Sequence, residues 1–155
     1  MESRRWRIFL DTSALIAGII SEAGAARELL RLCEAGIVEL LLSRQVLTEA
    51  DRNISEKLPA LIPDYHNLLR QLEPVLVDDP SREAVCEAML LIHRNDAPIL
   101  AAAICAKADF LITWNTRHFQ TETVRKAVPF PILTPGEFLK AFRKSLPEMP
   151  NSLSI

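Results

Sequence analysis

The chain has 155 residues, of which 49% are hydrophobic and 25% are charged, and its formal net charge is −2. This is the composition of an ordinary globular domain, and it excludes both a disordered chain and a strongly basic nucleic-acid coat. We predict one domain over residues 1–146, which is long enough to bury a full core, followed by a flexible tail at residues 147–155.

Short apolar segments alternate along the chain with longer segments of helical periodicity. The short segments predict strands at residues 7–11, 38–42, 75–77, 109–113 and 131–133. The longer segments predict helices at residues 13–20, 22–34, 43–57, 64–72, 79–93, 96–107, 121–126 and 134–144. Alternation of this kind predicts an α/β fold, a three-layer α/β/α sandwich around a mainly parallel sheet.

Three of the predicted helices begin with recognisable capping residues. Ser43 follows the second strand as an N-cap. Asp79 before Pro80 has the form of an N-cap with proline at the first helical position. Thr134 and Glu137 have the spacing of a capping box. These residues fix where we expect the helices to start.

Cysteine use and hydrophobicity indicate the compartment. Cys33, Cys86 and Cys105 lie far apart in apolar helical patterns. An odd, unclustered set predicts reduced core thiols in a cytoplasmic protein, rather than disulfides or a zinc site. The longest uncharged stretch near the core, residues 97–106, is far shorter than the roughly 20 apolar residues of a transmembrane helix. We therefore expect no membrane partner.

Polar residues follow or precede the apolar segments in a way that indicates a site. Asp11 ends the first strand, and Glu49 lies early in the helix after the second strand. Asp96 opens a helix after a long apolar segment, and Asn115 follows the fourth strand. The carboxyl ends of parallel strands meet at one edge of the sheet, which is where ligands bind in such folds.

Acidic side chains that converge at one edge repel each other and cannot all stay ionised without compensation. Divalent cations provide that compensation, and Mg²⁺ and Mn²⁺ prefer oxygen ligands. Such sites polarise phosphodiesters and activate water. The acidic residues therefore favour metal-dependent nuclease chemistry.

Four motifs in order carry a resemblance to a known family. They are Asp11-Thr12-Ser13, Ser43 followed by Glu49, the run Asn95-Asp96-Ala97-Pro98-Ile99-Leu100, and Asp109-Phe110-Leu111-Ile112-Thr113-Trp114-Asn115 followed by His118-Phe119. With these motifs the chain resembles the PIN domain, the nuclease fold of many bacterial toxins of the VapC type. The resemblance runs from about residue 7 to residue 144.

The resemblance implies a role for each of four residues. The family's three acids fall on Asp11, Glu49 and Asp96, which would be catalytic and would bind Mg²⁺ or Mn²⁺. Its fourth position, often an aspartate, falls on Asn115, which would also be catalytic and would assist metal binding directly or through water. Asparagine offers a neutral carbonyl oxygen where a carboxylate would add charge, so both one and two metal ions stay open. The resemblance also implies hydrolysis of RNA, a small antitoxin protein as partner, and a homodimer.

Each assignment has an alternative. Asp51 could replace Glu49 as the second acid, and Asp96 could simply cap its helix. Asp109 begins its strand and should lie at the edge away from the site. His118 could contact RNA or a metal ion, although packing in a loop is the favoured interpretation. Four basic residues could bind phosphates: Arg44, Arg117, Arg125 and Lys126.

Two other functions compete with the ribonuclease. A phosphotransferase that starts from a strand-end aspartate usually has a second aspartate two residues later, where this chain has Ser13. A non-catalytic domain that binds RNA or protein is the other alternative, with Asn115 as a sign of lost activity.

Overall fold

The computed structural model describes residues 4–146. Within that range the chain forms five strands in one sheet, in the order β3-β2-β1-β4-β5, and all of the strand pairs are parallel. The strands are β1 (Arg7–Leu10), β2 (Glu39–Leu42), β3 (Val75–Leu76), β4 (Phe110–Ile112) and β5 (Ile132–Leu133). The predicted α/β fold with a parallel central sheet is confirmed.

Helices fill the connections between the strands. Those before β3 are α1 (Thr12–Ile20), α2 (Ala25–Glu34), α3 (Arg44–Lys57) and α4 (Ile62–Leu72), with a 3₁₀ turn at Pro59–Leu61. Those after it are α5 (Arg82–Ala88), α6 (Ala97–Cys105), α7 (Thr116–Phe119), α8 (Glu122–Ala127) and α9 (Pro135–Ser145). In the part of the chain that the structure describes, none of these helices has the length and hydrophobicity of a transmembrane span.

The strand order reverses between β1 and β4. The chain runs outwards from β1 through β2 to β3 and then returns past both to place β4 on the other side of β1. Because parallel crossovers are right-handed, this reversal puts the helices before β3 and those between β3 and β4 on opposite faces. It also opens a crevice at the carboxyl ends of β1 and β4, the usual ligand position in open α/β sheets.

The central strands are buried on both faces. Phe9 of β1 is in register with Leu41 of β2 and Leu111 of β4, and all three side chains are fully buried. Continuous apolar strands are expected when helices cover both faces of a parallel sheet. This core fixes the ends of β1, β2 and β4 relative to one another.

Several local predictions needed correction. Ser81, not Asp79, caps α5: its hydroxyl accepts from the Ala84 backbone N–H, and Pro80 lies before the helix. That helix ends at Ala88 rather than continuing to residue 93. The short helix α7 was not predicted. The caps at Ser43 and Thr134 form as expected.

The cysteine prediction was wrong in one respect. Cys33 is buried, but Cys86 and Cys105 are exposed and are not core thiols. All three are free. The predicted tail at residues 147–155 lies outside the described residues.

The packing of α1 against α2 depends on a glycine. A Cβ at Gly18 would lie 2.5 Å from Leu30 Cδ1 and 3.2 Å from the Ala26 carbonyl oxygen. Leu30 is buried and cannot swing into solvent. We therefore expect Gly18→Ala to destabilise the protein by about 1–3 kcal/mol in chemical denaturation.

The matched control is Gly136→Ala in the first turn of α9, where an added Cβ meets nothing within 4 Å. It should leave stability unchanged or raise it by up to about 1 kcal/mol. Equal stabilities of the two variants would show that α1 and α2 separate at little cost.

Candidate active site at the carboxyl edge of the sheet

Asp11 lies at the reversal point of the sheet. Its backbone N–H donates to the Ile112 carbonyl at 3.1 Å, which joins the ends of β1 and β4. The side chain is 3% exposed and caps α1, because Oδ1 accepts from the Ala14 N–H at 2.9 Å. The residue therefore caps a helix and also faces the crevice.

Two hydroxyls hold the Asp11 carboxylate. Ser13 Oγ donates to Oδ1 at 2.7 Å, and Thr113 Oγ1 donates to Oδ2. Burial nevertheless raises the pKa of Asp11 from 3.8 to about 6, against the opposing effect of these hydrogen bonds, and the charge of Asp96 raises it further. The ionised carboxylate is thus costly until a cation compensates it.

Glu49 is fixed by partners on two elements. Its Oε2 accepts from Thr12 Oγ1 at 2.6 Å, and its Oε1 accepts from Gln45 Nε2 at 2.9 Å. Gln45 is one helical turn earlier on α3, and Thr12 follows Asp11. The bond to Thr12 brings the second predicted acid to the end of β1.

Asp96 immediately precedes α6 but makes no side-chain capping bond to it. Its Oδ2 lies 2.7 Å from His118 Nδ1 on α7. The His118 ring in turn stacks on His93, with centroids 5.6 Å apart. Asp96 is therefore held from the side of α7, and His118 does more than pack in a loop.

Asn115 precedes α7 and lies beside this pair. Its side-chain Nδ2 is 3.3 Å from His118 Nδ1, and its backbone N–H donates to Thr113 Oγ1 at 2.8 Å. Thr113 thus connects the fourth predicted site residue to Asp11.

One cleft of about 350 Å³ brings all four predicted residues together. Its lining consists of Asp11, Thr12, Ser13, Ile16, Glu49, Asn53, Asp96, Ile99 and Asn115. Most of these residues offer oxygen atoms, which are the donors that Mg²⁺ and Mn²⁺ prefer. The donor set therefore fits a hard divalent cation.

The carboxylates nevertheless point at protein partners rather than at one another. Across residues 4–146, no three acidic, histidine or cysteine side chains are grouped closely enough to hold a metal ion. Asp11 faces hydroxyls, Glu49 faces Thr12 and Gln45, and Asp96 faces His118. A cation bound in the cleft would have to draw these side chains towards itself.

The other acids considered in the sequence lie elsewhere. Asp51 is exposed, and its Oδ1 lies 3.6 Å from His66 Nε2. Asp109 accepts from the Arg7 N–H and from Arg4, at the opposite edge of the sheet. Neither residue lines the cleft.

Three contributors were missed or underrated from sequence. Thr12 was named only as part of a motif and was given no role of its own, although its hydroxyl is the link to Glu49. Asn53 lines the cleft one turn after Glu49. His118 follows Asn115 by three residues, a spacing that places both on one side of a helical turn, and this signal was available.

Comparison with known proteins agrees with this architecture. The family model described as PIN domain matches residues 7–117. No curated protein matches the chain. The structure is similar to PAE2754 from Pyrobaculum aerophilum, at 15% identity and a TM-score of 0.56, over 90% of this chain and 99% of that one.

Two further structures are similar at comparable levels. VapBC2 from Rickettsia felis, bound to a DNA fragment from their promoter, matches at 22% identity and a TM-score of 0.59, over 82% of this chain and 96% of that one. FitAcB from Neisseria gonorrhoeae matches at 18% identity and a TM-score of 0.57, over 83% of this chain and 98% of that one. At these identities the similarity concerns the fold.

Proposed function

The chain belongs to the PIN domain family, a family of nucleases, and from that premise we propose that it is an endoribonuclease dependent on Mg²⁺ or Mn²⁺ and the toxin of a toxin–antitoxin pair. The observation that carries the proposal is the convergence of Asp11, Glu49, Asp96 and Asn115 on one cleft at the reversal point of the sheet.

The three carboxylates would hold the cation, with Asn115 assisting through its carbonyl oxygen or through water. When bound, a divalent cation supplies Lewis-acid chemistry to the phosphodiester and makes water a better nucleophile. Ser13 and Thr113 orient Asp11 by hydrogen bonds. Thr12 orients Glu49, and His118 orients Asp96. Such supporting bonds hold ligands in the geometry that binding needs.

The proposed partners rest on resemblance and similarity. The motifs resemble VapC-type toxins, and one similar structure is a VapBC2 complex on promoter DNA. These support an antitoxin protein as partner, RNA as substrate, a homodimer and a cytoplasmic location.

Metal dependence of RNA cleavage tests the proposal. The purified protein should cleave total cellular RNA with Mg²⁺ or Mn²⁺, lose that activity in EDTA, and regain it when either ion is restored. Zn²⁺ should substitute poorly, because the cleft offers oxygen ligands and no thiolate. Mg²⁺ should also raise the melting temperature, because it binds only the folded state.

Two outcomes would count against the proposal. Undiminished cleavage in EDTA after exhaustive dialysis would remove the metal ion from the mechanism. Absence of cleavage with every divalent ion, together with no Mg²⁺-dependent rise in melting temperature, would favour the non-catalytic domain.

The departure at Asn115 leads to a further prediction. Asn115→Asp adds a carboxylate to a cleft that already holds three. We expect lower stability without metal, because like charges repel, and tighter Mg²⁺ binding, because a carboxylate is a better ligand than an amide. Calorimetric Mg²⁺ titration of both proteins measures the difference.

Asn67→Asp adds the same charge on the exposed side of α4, where the Asn67 side chain accepts a hydrogen bond from Arg70 and does not line the cleft. It should leave Mg²⁺ affinity unchanged. Equal affinities of wild type and Asn115→Asp would place Asn115 outside the reach of the cation.

A further inference from the structure

A second cavity adjoins the acidic cleft. It has a volume of about 580 Å³, and Arg52 and Arg94 are the basic residues that line it, together with Gln45, Glu49, Asn53, Asn95 and Pro98. Glu49 and Asn53, both on α3, line both cavities, so the two cavities are neighbours along this helix.

The sequence explains why the arginines lie beside the acids. Gln45, Glu49 and Arg52 occur at positions i, i+4 and i+7 of α3 and therefore share one face of the helix. Arg94 is two residues before Asp96. Each arginine is thus carried by the same segment as one proposed metal ligand.

Both arginines are exposed, and within residues 4–146 neither forms an ion pair or a side-chain hydrogen bond. Other arginines are engaged: Arg31 contacts Glu28, and Arg44 contacts Asp79. Glu49, the acid that shares the cavity, is already held by Thr12 and Gln45. Two guanidinium groups that line one cavity, and that pair with no protein anion among the described residues, are available to bind an external anion.

Basic groups are needed beside the acidic cleft, the cleft that Asp11, Glu49 and Asp96 line. Three carboxylates repel a polyanion that approaches the site, and one divalent cation offsets only part of that repulsion. Guanidinium groups bind phosphate oxygens with paired hydrogen bonds. The amides of Gln45, Asn53 and Asn95 add further donors around the cavity.

We propose that Arg52 and Arg94 form a phosphate-binding subsite that holds the RNA backbone at a nucleotide next to the cleaved bond. This inference rests on the proposed ribonuclease function and deepens it, because it fixes the path of the RNA from the acidic cleft across α3. The basic residues singled out from sequence do not supply the subsite. Among the described residues, Arg44, Arg117, Arg125 and Lys126 line neither cavity.

The test compares Arg52→Gln, Arg94→Gln and the double variant with wild type. Arg143→Gln is the matched control: Arg143 is exposed and follows Phe142, whose ring contacts Trp6 ahead of β1, at the opposite edge of the sheet. Cleavage sites are first mapped in total cellular RNA, and a single-stranded oligonucleotide that spans one site serves as the probe.

We expect KM for the oligonucleotide to rise roughly tenfold for each single variant, since each loses a charge-assisted contact. The salt dependence of oligonucleotide binding is measured in an Asp11→Asn background. The slope of log affinity against log salt concentration is negative, and its magnitude should decrease by about 0.7 for each arginine removed. Replacing the contacted phosphate by an uncharged methylphosphonate should weaken binding to wild type, but not to the double variant. Arg143→Gln should match wild type in all three measurements.

Failure of the phosphate subsite can be distinguished from failure of the proposed ribonuclease function. If wild type cleaves RNA in a metal-dependent way and the arginine variants show unchanged KM and salt slope, the subsite is overturned while the nuclease stands, and the arginines would serve a protein partner instead. If wild type cleaves no RNA, both proposals are overturned. An equal methylphosphonate effect in wild type and the double variant would also overturn the subsite.

Discussion

Asp11→Asn should abolish RNA cleavage and make the metal-free protein more stable. Loss of a residue that only orients a metal ligand typically costs 10–100-fold, so loss of a ligand should exceed about a hundredfold. The variant should still fold. An asparagine carbonyl can accept from the Ala14 N–H and from Ser13, and its amide can donate to Thr113, whose hydroxyl oxygen faces the side chain.

The stability gain has a defined pH dependence. Burial raises the pKa of Asp11 from 3.8 to about 6 in the folded protein, so between these values the folded state binds a proton that the unfolded chain has lost. The contribution of Asp11 to the stability of the wild type therefore falls as the pH rises from about 4 to about 6 and is flat above that range. The neutral asparagine avoids this loss. Its advantage should reach about 2–3 kcal/mol above pH 6 and vanish below about pH 4.

Chemical denaturation of both proteins across that pH range measures how much more stable Asp11→Asn is than the wild type. Asp109→Asn is the matched control. Asp109 accepts from the Arg7 N–H and pairs with Arg4 at the far edge of the sheet. Its substitution should keep cleavage at the wild-type rate and lower stability slightly. Cleavage by a folded Asp11→Asn variant at the wild-type rate would exclude the proposed mechanism.

The strand ends were predictable because their causes are local. Apolar runs such as residues 8–10 bury themselves in a parallel sheet, and the polar residue that follows each run must then appear at the carboxyl edge. Ser43 and Thr134 show the same locality, because a hydroxyl at the start of a helix satisfies N–H groups only three residues away.

The predicted bounds of α5 were wrong because several local sequence signals competed there. Asp79, Pro80 and Ser81 all suit a helix start, and the chain uses Ser81. After Ala88 the chain leaves the helix, so that Ile92 is buried while Leu90 is 85% exposed. The apolar pattern alone cannot distinguish that turn from a continuation of the helix to residue 93, because the outcome depends on how the segment packs against α6.

The partners of the carboxylates were not predictable. Thr12 meets Glu49 across 37 residues, and His118 meets Asp96 across 22. These bonds depend on how α3 and α7 dock against the ends of β1 and α6, which is a tertiary property. Motif spacing named the acids that enter the cleft, but not the Thr12 hydroxyl that orients Glu49 or the pairing of the His118 imidazole with Asp96.

Glu49→Gln should also abolish cleavage, whereas Asp51→Asn should not. Glu49 lies in the cleft with Asp11 and Asp96, and its neutral amide replacement would be a poor ligand for a hard cation. We expect a loss of more than about a hundredfold, together with loss of the Mg²⁺-dependent rise in melting temperature. The fold should survive, because Glu49 is only half-buried and glutamine keeps an oxygen for one of its two donors.

Asp51 tests the assignment from the same helix. It lies two residues after Glu49, is exposed, and faces His66 rather than the cleft. Asp51→Asn removes the same charge, yet it should leave both the cleavage rate and the Mg²⁺ effect within about twofold of wild type, as is usual for exposed ion pairs of little energetic weight. Parallel cleavage assays and melting curves with and without Mg²⁺ for the two variants show whether Glu49 or Asp51 is the second acid of the site. An inactive Asp51→Asn beside an active Glu49→Gln would make Asp51 the second acid and would require α3 to present its other face to the metal ion.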